Sequence, residues 1–113
     1  MRAEALKGHL DGLLLAVLEG GPTHGYAVIE ALRTGSGGTF DLPTGTVYPA
    51  LHRLEDLGLV VSTWSGGPGR KRRVYALTAA GRTALSDQRA GWQEFASAVY
   101  AVMNGGQAWT ART

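Results

Sequence analysis

The sequence predicts a mainly α-helical fold with one small β-hairpin, and three observations predict it. Apolar residues recur at helical spacing in four stretches, clusters of glycine and proline separate them, and two strand-like runs flank Gly66-Gly67-Pro68-Gly69. Each element follows from its own residues. Leu6, Leu10, Leu13, Leu14, Val17 and Leu18 give one broad apolar stripe, which predicts a first helix over 5–18, and Gly20-Gly21-Pro22 stops it. Thr23 is expected to cap a second helix with Tyr26, Ile29 and Leu32 on one face, ending near Gly35, Gly37 and Gly38. Thr39-Phe40-Asp41-Leu42 is expected as a brief strand. Pro43 and Thr44 then open a third helix that runs to Leu57, with Gly58 as its stop.

Residues 59–65 and 72–77, rich in β-branched and aromatic side chains, predict the hairpin. Thr78 is a suitable cap for a last helix, whose Leu85, Trp92, Phe95, Val99, Val102 and Met103 recur at sevens, threes and fours. That stripe is longer than a small core can cover. The expected organisation is a head over 1–78, a helix over 79–104 and a disordered tail over 105–113 that carries Trp109.

At 113 residues, with 44% hydrophobic and 18% charged side chains, the chain has room for one core, so any second function must share the same helices. The net charge of +2 says little about partners, but Arg70, Lys71, Arg72 and Arg73 gather four of the eleven cations into one run. The absence of cysteine removes disulfides, thiolate metal sites and thiol nucleophiles together. The opening Met1-Arg2-Ala3-Glu4 is unlike a signal peptide and no apolar run approaches membrane length, so a cytoplasmic protein without membrane contact is expected. His9, His24 and His52 fall on three different elements with no serine and carboxylate constellation around them, and no phosphate-binding glycine motif occurs. Neither an enzyme nor a cofactor is expected. A metal site would need Cys or a tight His and carboxylate cluster, and the sequence offers neither.

Three short helices, a glycine-tipped hairpin and a closing helix make the winged helix-turn-helix order, in which the third helix enters the major groove of double-stranded DNA. With Val47, Leu51 and Leu54 turned inward, steps of about 100° place Gly45, Pro49, His52 and Asp56 outside and Thr46, Tyr48 and Arg53 on the flanks. Pro49 is tolerable only near the start of that helix, where the amides lack partners in any case. The small outer face lets first-turn amides approach a phosphate, with Tyr48, His52 and Arg53 in reach of phosphates or base edges. Taken alone, 44–57 reads equally well as any amphipathic helix with Tyr48 packed on the protein. The four cations after the hairpin tip favour the DNA reading, because a wing needs long cationic side chains for the backbone. Trp64 is expected to pack at the base of that wing.

From Leu13 to Met103 the chain resembles the PadR family of bacterial transcriptional regulators. The resemblance rests on His24-Gly25-Tyr26, on the string Thr44-Gly45-Thr46-Val47-Tyr48-Pro49-Ala50-Leu51-His52-Arg53-Leu54-Glu55, and on Gly69-Arg70 with Arg73-Val74-Tyr75-Ala76-Leu77-Thr78-Ala79-Ala80-Gly81, similar to the wing strand and the Leu-Thr-x-x-Gly entry into the final helix. It implies a winged-helix head, a C-terminal dimerisation helix and, usually, repression of nearby genes. It assigns Tyr26, Thr44, Gly45, Thr46, Tyr48, Pro49 and the basic wing to DNA. His24, where the family often has an aromatic, and Ala27, where it often has an acid, depart from the pattern.

With one helix after the wing, the chain resembles the short class of the family, in which dimerisation rests on the first and last helices, here Leu6, Leu10, Trp92, Phe95, Val99, Val102 and Met103. Each large apolar side chain buried against a partner is worth roughly 1.5 to 3 kcal/mol. A twofold dimer also suits a palindromic operator with half-sites about 34 to 36 Å apart, or a multiple of that. In multidrug-sensing members a tryptophan on the last helix stacks on flat aromatic ligands, and Trp92 sits at the similar position. Its other reading, and the one favoured here, is plain dimer core. The competing function for the whole chain is a protein-interaction module that binds no DNA and whose binding would not respond to salt.

Overall fold

The computed structural model describes residues 8–69 and 71–106. Leu6, Arg70 and Trp109 lie outside the described residues. The order is α1 (Leu10–Leu18), β1 (Thr23–His24), α2 (Gly25–Gly35), α3 (Thr44–Asp56), β2 (Val60–Ser65), β3 (Arg72–Leu77) and α4 (Ala79–Met103). The three strands form one antiparallel sheet in the order β1-β3-β2. It is a mainly helical fold with a small wing, as the sequence predicts.

Helices α1, α2 and α3 enclose the core. Leu14, Leu15 and Leu18 from α1, Val28 and Leu32 from α2, and Val47, Ala50, Leu51 and Leu54 from α3 are all buried, and Val60 and Tyr75 close it from the sheet. Burial pushes the Tyr75 phenol above its ordinary pKa. The end of α3 follows the glycine rule: Gly58 sits at φ +78, the Gly58 amide donates to the Glu55 carbonyl at 3.0 Å, and the Leu59 amide donates to the Leu54 carbonyl at 3.0 Å.

The start of α4 is similarly specified. The Thr78 hydroxyl accepts from the Gly81 amide at 3.0 Å and donates to the Gly58 carbonyl at 2.7 Å, so one side chain caps α4 and ties it to the end of α3. A methyl group on Gly81 would overlap the Leu59 carbonyl oxygen, which is why the Leu-Thr-x-x-Gly string ends on glycine. From there α4 runs along α1, and Arg89 holds Glu19 through two hydrogen bonds of 2.7 and 3.0 Å. That guanidinium keeps the Glu19 carboxyl below the usual range.

Four local expectations are corrected. Helix α1 starts at Leu10 rather than at residue 5, because Gly8 takes φ +87 and His9 occupies the cap position. His24, and not Thr23, caps α2. Residues 39–42 form no strand: the Ser36 carbonyl accepts from the Thr39 amide at 3.2 Å and the Ser36 hydroxyl accepts from the Phe40 amide at 2.8 Å, so those donors are used locally. The third strand is instead β1, paired through Thr23 with Tyr75 and through His24 with Val74. Finally, Gly105 and Gly106 belong to a closing turn rather than to the expected tail, the Gly106 amide donating to the Ala101 carbonyl at 2.6 Å.

Candidate nucleic-acid interface

Helix α3 presents the outer face that its periodicity predicts. Gly45, Pro49, His52, Arg53 and Asp56 are exposed, Thr46 and Tyr48 are half-buried, and Val47, Leu51 and Leu54 are inside. Pro43 takes the cap position and Thr44 begins the helix, so Pro49 falls in its second turn. Thr44 and Gly45 are exposed at the end where backbone amides lack intrahelical partners.

Tyr48 is placed by α2. A methyl group on Gly25 would lie 2.5 Å from the Tyr48 ring, so that ring occupies the space a side chain would fill. Tyr26 meets the same ring edge to face, with centroids 6.4 Å apart, while remaining 66% exposed. The His-Gly-Tyr string and the third-helix string are thus two halves of one contact.

Hairpin β2–β3 runs in register from Val60 opposite Leu77 to Ser65 opposite Arg72. Glu55, near the end of α3, joins the wing to that helix by accepting from the Ser62 amide at 3.2 Å and from the Ser62 hydroxyl at 2.5 Å. The Ser62 hydroxyl bond, with help from the Arg73 charge, keeps the Glu55 carboxyl below the usual range despite some burial. Arg73 donates to the Ser62 oxygen at 2.7 Å, approaches Glu55 at 3.8 Å and lies over the Trp64 ring, 5.1 Å from its centroid. Trp64 does not pack at the wing base as expected: it lies one pair from the hairpin tip and is 63% exposed, with Arg73 as its cover.

The candidate cations therefore differ in what holds them. Arg53 pairs with Asp11 of α1, Arg73 is held within the wing, and Arg72 Nη1 lies 3.2 Å from His24 Nε2. Lys71 makes no hydrogen bond or ion pair among the described residues. Asp11 is a contributor that pattern reading does not single out, and Gly25 and Glu55 enter it only inside the family strings, with no role given. Asp11 and Arg53 stand 42 positions apart, and no local signal links them.

On the opposite side, Trp92, Phe95, Val102 and Met103 of α4 are exposed, at 52, 57, 82 and 78%, and Val99 joins them. Leu10 packs partly against the core instead of lying fully on that surface. Trp92 meets the His9 ring edge to face at 5.2 Å and lies beside Phe95 at 6.0 Å. Both line a cleft of about 530 Å³ between α1 and α4, together with Gly12, Leu13, Phe40 and Gln88. No helix among the described residues is long and apolar enough to cross a membrane.

A helical head with an exposed third helix and a basic hairpin beside it defines a winged helix-turn-helix regulator. The chain belongs to the PadR-like family of transcriptional regulators, whose model it matches over residues 14–87. It is 51% identical over 67 residues to the transcriptional regulator Rv3488 of Mycobacterium tuberculosis, a match covering 59% of this chain and 59% of that relative. Its fold is similar to that of a PadR family regulator from Eggerthella lenta, at 30% identity with a TM-score of 0.78, covering 88% of this chain and 86% of that one. A PadR family regulator from Clostridium difficile is similar at 31% identity with a TM-score of 0.70, covering 87% of this chain and 97% of that one.

Proposed function

We propose that this regulator is a cytoplasmic homodimeric repressor that places α3 in the major groove of a palindromic operator and its wing on the neighbouring phosphates. The observation that carries the reading is the outer face of α3, exposed from Thr44 to Asp56 beside Tyr26 and tied through Glu55 to a wing whose Lys71 has no partner among the described residues. Tyr26, Thr44, Gly45, Thr46, Tyr48, Pro49, His52 and Arg53 are the groove side of this surface. Residues 70–73 are its backbone side. The 8–78 head carries the contact and α4 pairs the two heads.

Dimerisation is supported by the apolar stripe of α4, which the head does not cover. A partner helix laid along it would bury Trp92, Phe95, Val99, Val102 and Met103 at roughly 1.5 to 3 kcal/mol each. It would also close the cleft beside Trp92, where two aromatic rings already stand near each other. Under the ligand reading of Trp92 that cleft would hold a flat aromatic effector, which would relieve repression through unequal affinity for DNA-competent and DNA-incompetent spacings of the heads.

The test is a mobility-shift titration on the DNA upstream of the chain's own coding region and on a random duplex, at several salt concentrations. Binding should weaken steeply with salt. Alanine at residues 70–73 should weaken both duplexes similarly, whereas Tyr48→Ala should weaken the operator more than the random duplex. Equal losses for Tyr48→Ala would contradict its groove assignment, and salt-insensitive binding would contradict the DNA reading itself.

A further inference from the structure

His24 makes two contacts that one neutral imidazole cannot satisfy as an acceptor. Its Nδ1 accepts from the Ala27 amide at 3.4 Å, capping α2. A backbone amide can only donate, so this cap requires a lone pair on Nδ1 and assigns the ring proton to Nε2. Yet Nε2 lies 3.2 Å from Arg72 Nη1, and a guanidinium has donors alone. In that tautomer the two groups face each other as donors. Their positions are imposed by the fold: His24 is paired opposite Val74 in the sheet, which puts it beside the same strand that starts at Arg72.

We propose that His24 is a ligand of the DNA backbone, its Nε2–H joining Arg72 to form a two-donor seat for a single phosphate oxygen. The inference rests on the DNA reading above and adds a residue to it. An anionic oxygen between the two donors satisfies both and leaves the cap on α2 intact. Arg72 supplies the charge, and His24 supplies a directional donor from the residue just before α2. Because the contact is to the backbone, it carries no base preference.

His24→Ser keeps a capping oxygen and removes Nε2–H, so the head stays folded. Anisotropy titrations of the unaltered protein, His24→Ser, Arg72→Ala and the double variant against a random duplex provide the test, with melting temperatures recorded alongside. His24→Ser should bind about tenfold more weakly at an unchanged melting temperature. It should leave the slope of affinity against salt unchanged, whereas Arg72→Ala should lower that slope by about one. In the Arg72→Ala background, His24→Ser should cost less than about twofold, because the seat is already broken. Full affinity for a folded His24→Ser, or the same loss with and without Arg72, would overturn the seat. Long-range proton–nitrogen spectra should show the proton on Nε2 before and after DNA is added, with the Nε2 resonance moving on addition. A proton on Nδ1 would show Arg72 bonded to the ring and overturn it as well. If the unaltered protein shows no salt-dependent DNA binding, the DNA reading fails and the seat with it, whereas failure confined to the His24→Ser arms leaves that reading standing.

Discussion

The head and the far half of α4 are built by opposite rules. In the head, among the described residues, ten leucine and valine side chains are buried, from Leu14 and Leu15 at 0% exposure to Leu42 at 9%, and most of the others pack partly against them. Beyond Leu85 no residue of α4 is buried, although that stretch carries Trp92, Phe95, Val99, Val102 and Met103. The first region is a finished core. The second has the composition of a core and the exposure of a surface, which is the pattern that the proposed dimer would use. Capping and glycine contacts concentrate at the junction, where Thr78 and Gly81 lock the start of α4 to the head.

The comparison breaks most directly at the end of α4. If α4 pairs two heads as proposed, Val102→Glu combined with Met103→Glu should weaken dimerisation by about 100-fold or more, because two side chains that a partner would bury at roughly 1.5 to 3 kcal/mol each are lost. Sedimentation should show a monomer with helical content retained by circular dichroism. A variant that remains a dimer would place the interface elsewhere. The next effect lies at the junction. Gly81→Ala drives a methyl group against the Leu59 backbone, which cannot give way as a flexible side chain can, and should cost about 3 kcal/mol in urea unfolding. A cost near zero would mean that α4 can tilt freely on the head.

Within the head, Gly25→Ala should cost about 2 kcal/mol, because the Tyr48 ring must leave its seat. Tyr48→Ala should recover part of that loss, and a double-mutant cycle on unfolding midpoints reads the coupling. Additive losses would show that the two residues do not share one space.

The elements that local pattern predicts well are those held by their own residues: four helices with regular apolar spacing, the Gly58 stop, the Thr78 cap and the hairpin. The errors fall where distant residues decide. Thr23 and His24 form a strand only because β3 passes beside them, and two residues carry no alternation to read. Residues 39–42 have strand-like composition, but Ser36 takes the donors a neighbouring strand would have used. For the interface, the positions on the α3 wheel were legible and the state of the cations was not. The run at 70–73 reads as four equal charges, whereas folding holds Arg73 within the wing, sets Arg72 against His24 and leaves Lys71 without a protein partner among the described residues. The Asp11 pairing of Arg53 likewise needs the packing of α1 on α3 before it exists.

The smallest expected effect concerns the tie between α3 and the wing. Glu55→Gln removes the charge that orders Ser62 and Arg73 and should cost about 1 kcal/mol at neutral pH. The carboxyl is held below its ordinary value in the folded chain, so its contribution is fully present above the unfolded carboxylate range, near about 4.3. It fades as pH falls through the lower folded value. The stability gap between the unaltered protein and Glu55→Gln should therefore close in acid, and a gap that stays constant with pH would assign the loss to altered packing instead. The same substitution releases Arg73 from its carboxylate, so the slope of DNA affinity against salt should steepen by up to about one even as the head loses stability. An unchanged slope would mean that Trp64 and Ser62 are enough to keep Arg73 within the wing, and that its charge serves the hairpin rather than the duplex.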